Sequence, residues 1–515
     1  MSNIFENKDR RVIPNFRSLA KTAELGELEN PKITRQIFHK KDLADYISDF
    51  ENSGNLAVAG DLISAAFVNN ITDDKKIIEA AEFILDETRA TGTQKKIATK
   101  LLKRNRAPEL NTTISKLDEF LSVNDGLRLR VRQRVSELRA SISQFPFNPF
   151  AYAELARIFS IIGRQEDATK NILIARNLAP SNRYILRAYS RLLAHYDDIE
   201  QAHDVLKKNP VTKLDPWLMA SEIAFSSLRN KSSNFIKKGL ELIDSKQYSP
   251  FSISELASSI GTVELLNGSR KKSTSLFRTA LIAPNDNALA QVEWADNKDH
   301  LFDLDITRFQ AKNNAEAFTL NSYDNQDWKA TIENAEKWFL DTPFASRPIM
   351  FGSHAASFFL NDQETAVKFC KAGLIANPND PQIINNIAYA YALANDVSNA
   401  KHYLDKINVE QTVGAHKICL LATKGLVHYR EGNAELGRAL YLQAIEQALE
   451  EKNQYYYDLA LMHLTREEIA VNSEHSNELV EKTSKINAKN SLELSTMKIR
   501  VVEANKKRAA AQKSR

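Results

Sequence analysis

The sequence predicts an all-α protein in which helices pair into hairpins and the hairpins stack as a solenoid. Three observations predict this class. Gly (15) and Pro (14) together supply 29 of 515 residues, about half of average usage. Such a chain has few helix breakers and few of the tight turns that an all-β fold needs. Apolar residues recur at spacings of three and four along most of the length, the period of one helix face. One pair of helical segments also returns in register 34 residues later, and a repeat of that period implies stacked units.

The elements follow in order. Residues 1–34 read as an irregular arm with one short helix at most. Between 35 and 145, Lys41–Phe50, Leu56–Val68 and Lys76–Thr88 are periodic, separated by Ser53-Gly54-Asn55 and Asn69-Asn70. Val131, Val135, Leu138 and Ile142 then form an apolar stripe spaced 4, 3 and 4. This region is expected to be divergent helical hairpins continuing the solenoid.

The regular array is expected over 146–451. From Pro149, apolar or small residues fall at Tyr152, Leu155, Ala156 and Phe159; Gly163 breaks the helix; Ala168, Ile172 and Ala175 continue on a second one, which Pro180 ends. Two antiparallel helices pack closely only where small residues such as Ala156 and Ala168 meet at the crossing. The next unit starts at Arg183, with Leu186, Tyr189, Leu193, Ala202 and Leu206 in matching places. Another starts at Pro381, turning at Asn395, and another near Ile418, with Gly425, Gly432, Gly437 and Tyr441. A unit from Arg347 closes at Pro378, and weaker copies lie at about 214–246, 253–286 and 311–344. Residues 287–310 fit no whole unit and are expected to interrupt the stack. Residues 452–486 read as a capping region, because Tyr455–Ala470 is apolar on one side and charged on the other. From 487 to 515 the chain is polar and Lys-rich, a basic tail expected as a solvated helix or disorder.

This pattern resembles the tetratricopeptide repeat (TPR), a 34-residue helix–turn–helix unit, and the resemblance covers roughly 149–451. It implies a right-handed α-solenoid superhelix serving as a non-enzymatic protein-interaction scaffold or adaptor. In such a superhelix the first helix of each unit lines the concave face. The resemblance therefore implies partner-binding positions at Arg157, Tyr184, Arg187, Arg191, His195, Phe358, Asn385, Tyr389, Tyr429 and Arg430. Arg187 and Arg191 share a helix face, and with Arg157 one unit away they could form a fork-donor cluster for carboxylates or phosphates. Pairing with acidic neighbours is the plainer alternative. The Lys-and-Asn clamp by which some repeats of this family hold a chaperone's C-terminal carboxylate is not visible, since Asn385 has no lysine one turn away.

Net charge is only +4, but it is unevenly spread. Residues 95–139 hold 12 Lys/Arg against five acids, including Arg128, Arg130, Arg132 and Arg134. Residues 498–515 hold seven against one, including Lys506, Lys507 and Arg508. The remainder is acidic. Either basic segment could neutralise phosphates without sequence preference, which makes nucleic-acid association the alternative function. No aromatics interleave with these charges, so a single-strand stacking platform is not supported. Fold-level analogy adds a third reading, a regulatory or sensor subunit of a multi-protein bacterial system such as phage defence.

Catalytic chemistry is not legible. Cys370 and Cys419 form no CxxC, which excludes a cysteine zinc site. Both sit in helical packing patterns, as buried hydrophobes do. Gly268-Ser-Arg-Lys-Lys-Ser-Thr has the residue types of a phosphate loop at the wrong spacing. Asp296, Asp299, His300, Asp303 and Asp305 are the densest metal-like cluster, without the order or glycine of a calcium loop. No catalytic residue, cofactor or metal is assigned. The N-terminal residues lack a secretory apolar core and no stretch reaches the length of a membrane span, so the expectation is a cytoplasmic protein with protein partners and no membrane.

Overall fold

The protein is described here by a computed structural model covering residues 16–18, 43–68, 71, 74–104, 117–122, 124–245, 247–302, 304–309, 311–489 and 491–513. Four helices come first: α1 (Leu43–Ser53), α2 (Leu56–Val68), α3 (Lys75–Asp86) and α4 (Gly92–Arg104). They close a core of their own around Leu62, Ile63, Ile77 and Ile84. A short α5 (Leu117–Ser122) and a long α6 (Asn124–Gln144) lead to the array.

Hairpins follow one another: α7 (Pro149–Ile161) with α8 (Gln165–Leu178), α9 (Arg183–His195) with α10 (Ile199–Lys208), α11 (Pro216–Leu228) with α12 (Ile236–Asp244), and α13 (Pro250–Leu266) with α14 (Arg270–Ala280). Then α15 (Asp286–Asp299) is followed by a single 3-10 turn at Ile306–Arg308 instead of a second helix, and it packs against α13 and the helix that comes next. The array resumes with α16 (Ala315–Asp324) and α17 (Trp328–Asp341), α18 (Arg347–His354) and α19 (Gln363–Ala376), α20 (Pro381–Leu393) and α21 (Val397–Leu404), and α22 (Ala415–Arg430) and α23 (Ala434–Glu450). Three helices end it: α24 (Gln454–Ala470), α25 (Ser476–Ser484) and α26 (Leu492–Lys513). No strand occurs among the described residues. The first helices at Pro149, Arg183, Pro216 and Pro250, and again at Arg347, Pro381 and Ala415, begin 33 or 34 residues apart, so the architecture is the TPR-like solenoid that the sequence predicts.

Local chemistry explains the regularity. Asn148, Asn182, Asp215, Ser249 and Asp380 each accept a first-turn N–H with the side chain. Proline at the next position starts four of those five helices, since its missing N–H would be unpaired there anyway. Each hairpin then turns through one left-handed residue: Gly163, Asp197, Asn230, Gly268, Gln326, Asn361, Asn395 and Gly432. Only three of these are glycine. Asn, Asp and Gln serve elsewhere, which is how the array turns so often on so little glycine. Ala156 and Ala168 are fully buried at their crossing, as are Ala388 and Ala400.

The array bends until it meets itself. A Cβ on Gly163 would lie 2.9 Å from the Ile375 carbonyl oxygen and 3.2 Å from that of Ala376; the α7–α8 turn thus presses on the end of α19, six hairpin positions later. One apolar core runs continuously from Phe16 and Leu117 through Val131, Phe159, Phe225 and Phe339 to Ile387.

From about Val502 the tail is the largely exposed helix expected, but its first half departs from the expectation of a solvated helix or disorder. Leu494, Met497 and Val501 share one face of α26 and bury it against Phe358, Met462 and Ile469. Their 3–4 spacing is a helical stripe that the density of lysines obscured.

Two helix backbones approach closely at Gly425 and Gly437, where a Cβ on either residue would lie 3.0 Å from the other's carbonyl oxygen. Gly425→Val is therefore expected to force α22 and α23 apart and to cost on the order of 1–3 kcal/mol, measured as a lower urea midpoint; an unchanged midpoint would show that the crossing has slack.

Candidate functional site

Most inner helices have no wet side. Along α7 every residue from Ala153 to Ile161 is buried, and along α11 every residue from Pro216 to Ser226. Charged groups on them must therefore find partners inside the protein, and they do. Arg157 forks onto Glu154, at 2.6 and 3.0 Å. Arg187, 2% exposed, reaches past the neighbouring hairpin to Glu255 on α13, donating at 2.7 and 2.9 Å. On the way it donates to the Trp217 carbonyl and the Ser221 hydroxyl on α11 and stacks over the Trp217 ring at 5.2 Å. Arg347 pairs with Glu316 at 2.5 Å. Arg183 pairs with the α11 cap Asp215 at 2.6 Å.

The expected cluster of Arg157, Arg187 and Arg191 is thus not assembled. Each of the first two is spent on its own carboxylate. Tyr184 is likewise buried, its hydroxyl donating to the Arg17 carbonyl at 3.1 Å. Arg191 differs. It is half-buried on α9, and among the described residues no hydrogen bond, ion pair or ring contact holds its guanidinium. Burial and the nearby Arg347 charge lower it to about 10. His195, one turn on, is pushed down to about 3 by burial and by Arg191, and so is neutral; its ring meets Phe344 edge-on at 5.1 Å.

In the second half the inner face is covered by the chain's own end. A π-helical turn, Ala355–Phe359, extends α18 and places Phe358 under α26. Arg500 of α26 donates to the Phe358 carbonyl and stacks on its ring at 5.2 Å. Glu493 accepts from the Tyr323 hydroxyl at 3.1 Å. Burial alone would raise this carboxyl, but His354, 3.7 Å away, and that hydroxyl hold it at about 2. Tyr429 donates to Glu468, and Arg430 donates to Glu467 at 2.5 Å. Asn385 and Tyr389 are half-buried; among the described residues Asn385 Oδ1 and the Tyr389 hydroxyl are buried without a hydrogen-bond partner. The His463 ring stands 6.1 Å from that of Tyr389.

The basic segments are partly consumed. Arg132 is exposed and Arg134 pairs with Glu137 at 3.0 Å; Arg128 and Arg130 are on α6, with side chains outside the described residues. Lys506 and Lys507 are exposed, whereas Arg508 binds Asn477 and Asn505. The acidic cluster of the interrupting segment serves backbone: Asp296 accepts the Phe302 N–H at 2.5 Å, and Asp305 caps the 3-10 turn through Thr307. Asp303 lies outside the described residues. Burial pushes the thiols of Cys370 and Cys419 up to about 12.

One feature escaped the sequence. Phe16 is 2% exposed, wedged edge-on between Tyr184 at 6.3 Å and Phe344 at 6.2 Å. Arg17 bridges Asp286 of α15, at 2.7 Å, and Asp341 of α17. No periodicity or spacing marks these residues, because their partners come from α9, α15, α17 and the loop after α17, all distant in sequence.

No family model matches the sequence, and no curated protein matches it. Among solved structures, the yeast Tom70 crystal structure aligns at 12% identity over 77% of this chain and 96% of that one, with TM-score 0.31. The APC/C hetero-tetramer Cut9–Hcn1 aligns at 10% identity over 88% and 95%, TM-score 0.35. The Naa15/Naa10 complex bound to HypK-THB aligns at 13% identity over 90% and 79%, TM-score 0.25.

Two stability predictions follow from the inner charges. Glu255→Gln leaves Arg187 buried without a counter-charge and is expected to cost about 3–5 kcal/mol in denaturant unfolding. Glu364→Gln, at an 81% exposed i,i+4 pair with Lys368, should cost under about 0.5 kcal/mol; equal losses would refute the distinction. Glu293, raised to about 7 mainly by burial, binds a proton in the folded state at pH values where the unfolded chain has lost it. It therefore destabilises the fold fully above pH 7, and that cost fades as pH falls towards 4.5. Glu293→Gln should gain on the order of 2 kcal/mol relative to wild type at pH 8 and nothing near pH 4.5, as read from paired unfolding curves.

Proposed function

We propose that the chain is a non-enzymatic interaction scaffold whose inner face receives an anionic segment of a partner protein at Arg191. The observation that carries this reading is the unspent guanidinium. Arg157, Arg187, Arg347 and Arg430 each hold a carboxylate, while Arg191, close to Arg347, has no carboxylate partner among the described residues. Keeping a cation there is unfavourable until an anion arrives, and a guanidinium offers a carboxylate or phosphate two parallel donors. His195 stays neutral beside it.

Arg191→Glu reverses this charge without removing a protein contact. Affinity purification at native concentration, with proteins identified by mass spectrometry, should recover a specific partner with wild-type chain. The Arg191→Glu chain, matched for helical content and melting temperature, should lose at least about 90% of it, a tenfold effect worth about 1.4 kcal/mol. Recovery of no specific partner, or of one indifferent to Arg191→Glu, overturns the proposal.

A further inference from the structure

We infer that the Phe16–Ser18 seat is a peptide-recognition site filled by the chain itself, and that a partner's linear peptide bearing an aromatic residue followed by arginine takes the same place. It rests on the interaction-scaffold reading but uses a different set of contacts.

The seat has three separate recognition devices. An aromatic cleft between Tyr184 and Phe344 holds the Phe16 ring edge-on to both, the arrangement ring quadrupoles favour. Two carboxylates, Asp286 and Asp341, grip the Arg17 guanidinium from different helices; a planar fork suits them where a lysine point charge would not. The Tyr184 hydroxyl donates to the backbone carbonyl between them. A buried aromatic anchor, a charge clamp and a main-chain bond are what short linear peptides are recognised by.

The occupant is not part of a repeat. Phe16–Ser18 is non-helical, and its partners belong to α9, α15, α17 and the loop after α17, at 167 to 324 positions' remove for the hydrogen bonds. Each of those elements is already capped and paired by its own neighbours. The N-caps of α9, α15 and α17 are Asn182, Asn285 and Asp327, none of them contributed by the segment, so the array is expected to stand when the segment leaves and the aromatic cleft to open. A tethered occupant competes at high effective concentration, so the seat is closed to weak ligands and opens to a partner that offers the same anchors and more.

The test uses the full chain and a fluorescein-labelled synthetic peptide of residues 11–20. Wild-type chain should bind it weakly. Phe16→Ala/Arg17→Ala chain should bind it at least about tenfold tighter, because the competing occupant is gone. Adding Asp286→Asn and Asp341→Asn should abolish that gain, and the peptide with its own phenylalanine replaced by alanine should not bind. Equal weak binding to wild-type and emptied chains overturns the inference. If the emptied chain melts early, excess peptide must raise its melting temperature; no rise marks the segment as a fixed brace and overturns the inference equally. Arg191→Glu is scored with the seat filled, so the scaffold proposal and this one fail on separate readouts.

Discussion

The Arg187–Glu255 ion pair is the interaction on which the geometry of this solenoid most visibly depends. It spans three consecutive first helices, from α9 across the Trp217 carbonyl and Ser221 hydroxyl of α11 to α13. Such a bridge forms only if those helices lie close enough for one side chain to cross them. That closeness is the result of tight curvature, and curvature brings its own constraint. A strongly bent array has inner helices that pack on both sides, so a charge placed there is desolvated and has to be compensated within the protein. Glu154, Glu316, Glu467 and Glu468 repeat the same solution further along.

Curvature also decides what the inside can do. The α7–α8 turn meets the end of α19 at Gly163, where no side chain fits. The enclosed space is then shared between the chain's two ends. Phe16 and Arg17 enter one part of it, and α26 covers another, with Glu493 held by Tyr323 and His354. An inner surface that an open superhelix would offer to solvent is here largely occupied by its own chain. Among the described residues, Arg191, Asn385 and Tyr389 are three inner positions where a polar group has no protein partner.

Much of the fold was legible from the residues. The units from Pro149, Arg183 and Pro381 begin where the caps and prolines say, turn at Gly163 and Asn395, and cross at Ala156, Ala168, Ala388 and Ala400. The weak copies at 214–246, 253–286 and 311–344 are hairpins as well, and residues 287–310 hold one α-helix followed by a 3-10 turn. The site was far less legible. Of the ten inner-face positions expected from the resemblance, Arg157, Tyr184, Arg187, Phe358 and Tyr429 are buried, and Arg430 is held by Glu467. Position within a repeat says which way a side chain points, but not whether another segment stands in front of it.

The residues by themselves determined the hairpin: its 34-residue period, its Asn/Asp/Ser caps, its left-handed turn and its small-residue crossing. All of these rest on interactions within one or two turns of helix or between adjacent helices, so they are written into local order. Only the tertiary structure decided which inner charges are spent and which end of the chain fills the interior. Arg187 finds Glu255 across 68 positions, Arg17 finds Asp341 across 324 and Tyr323 finds Glu493 across 170. Those distances are set by the accumulated bend of many hairpins, a quantity that no single repeat encodes.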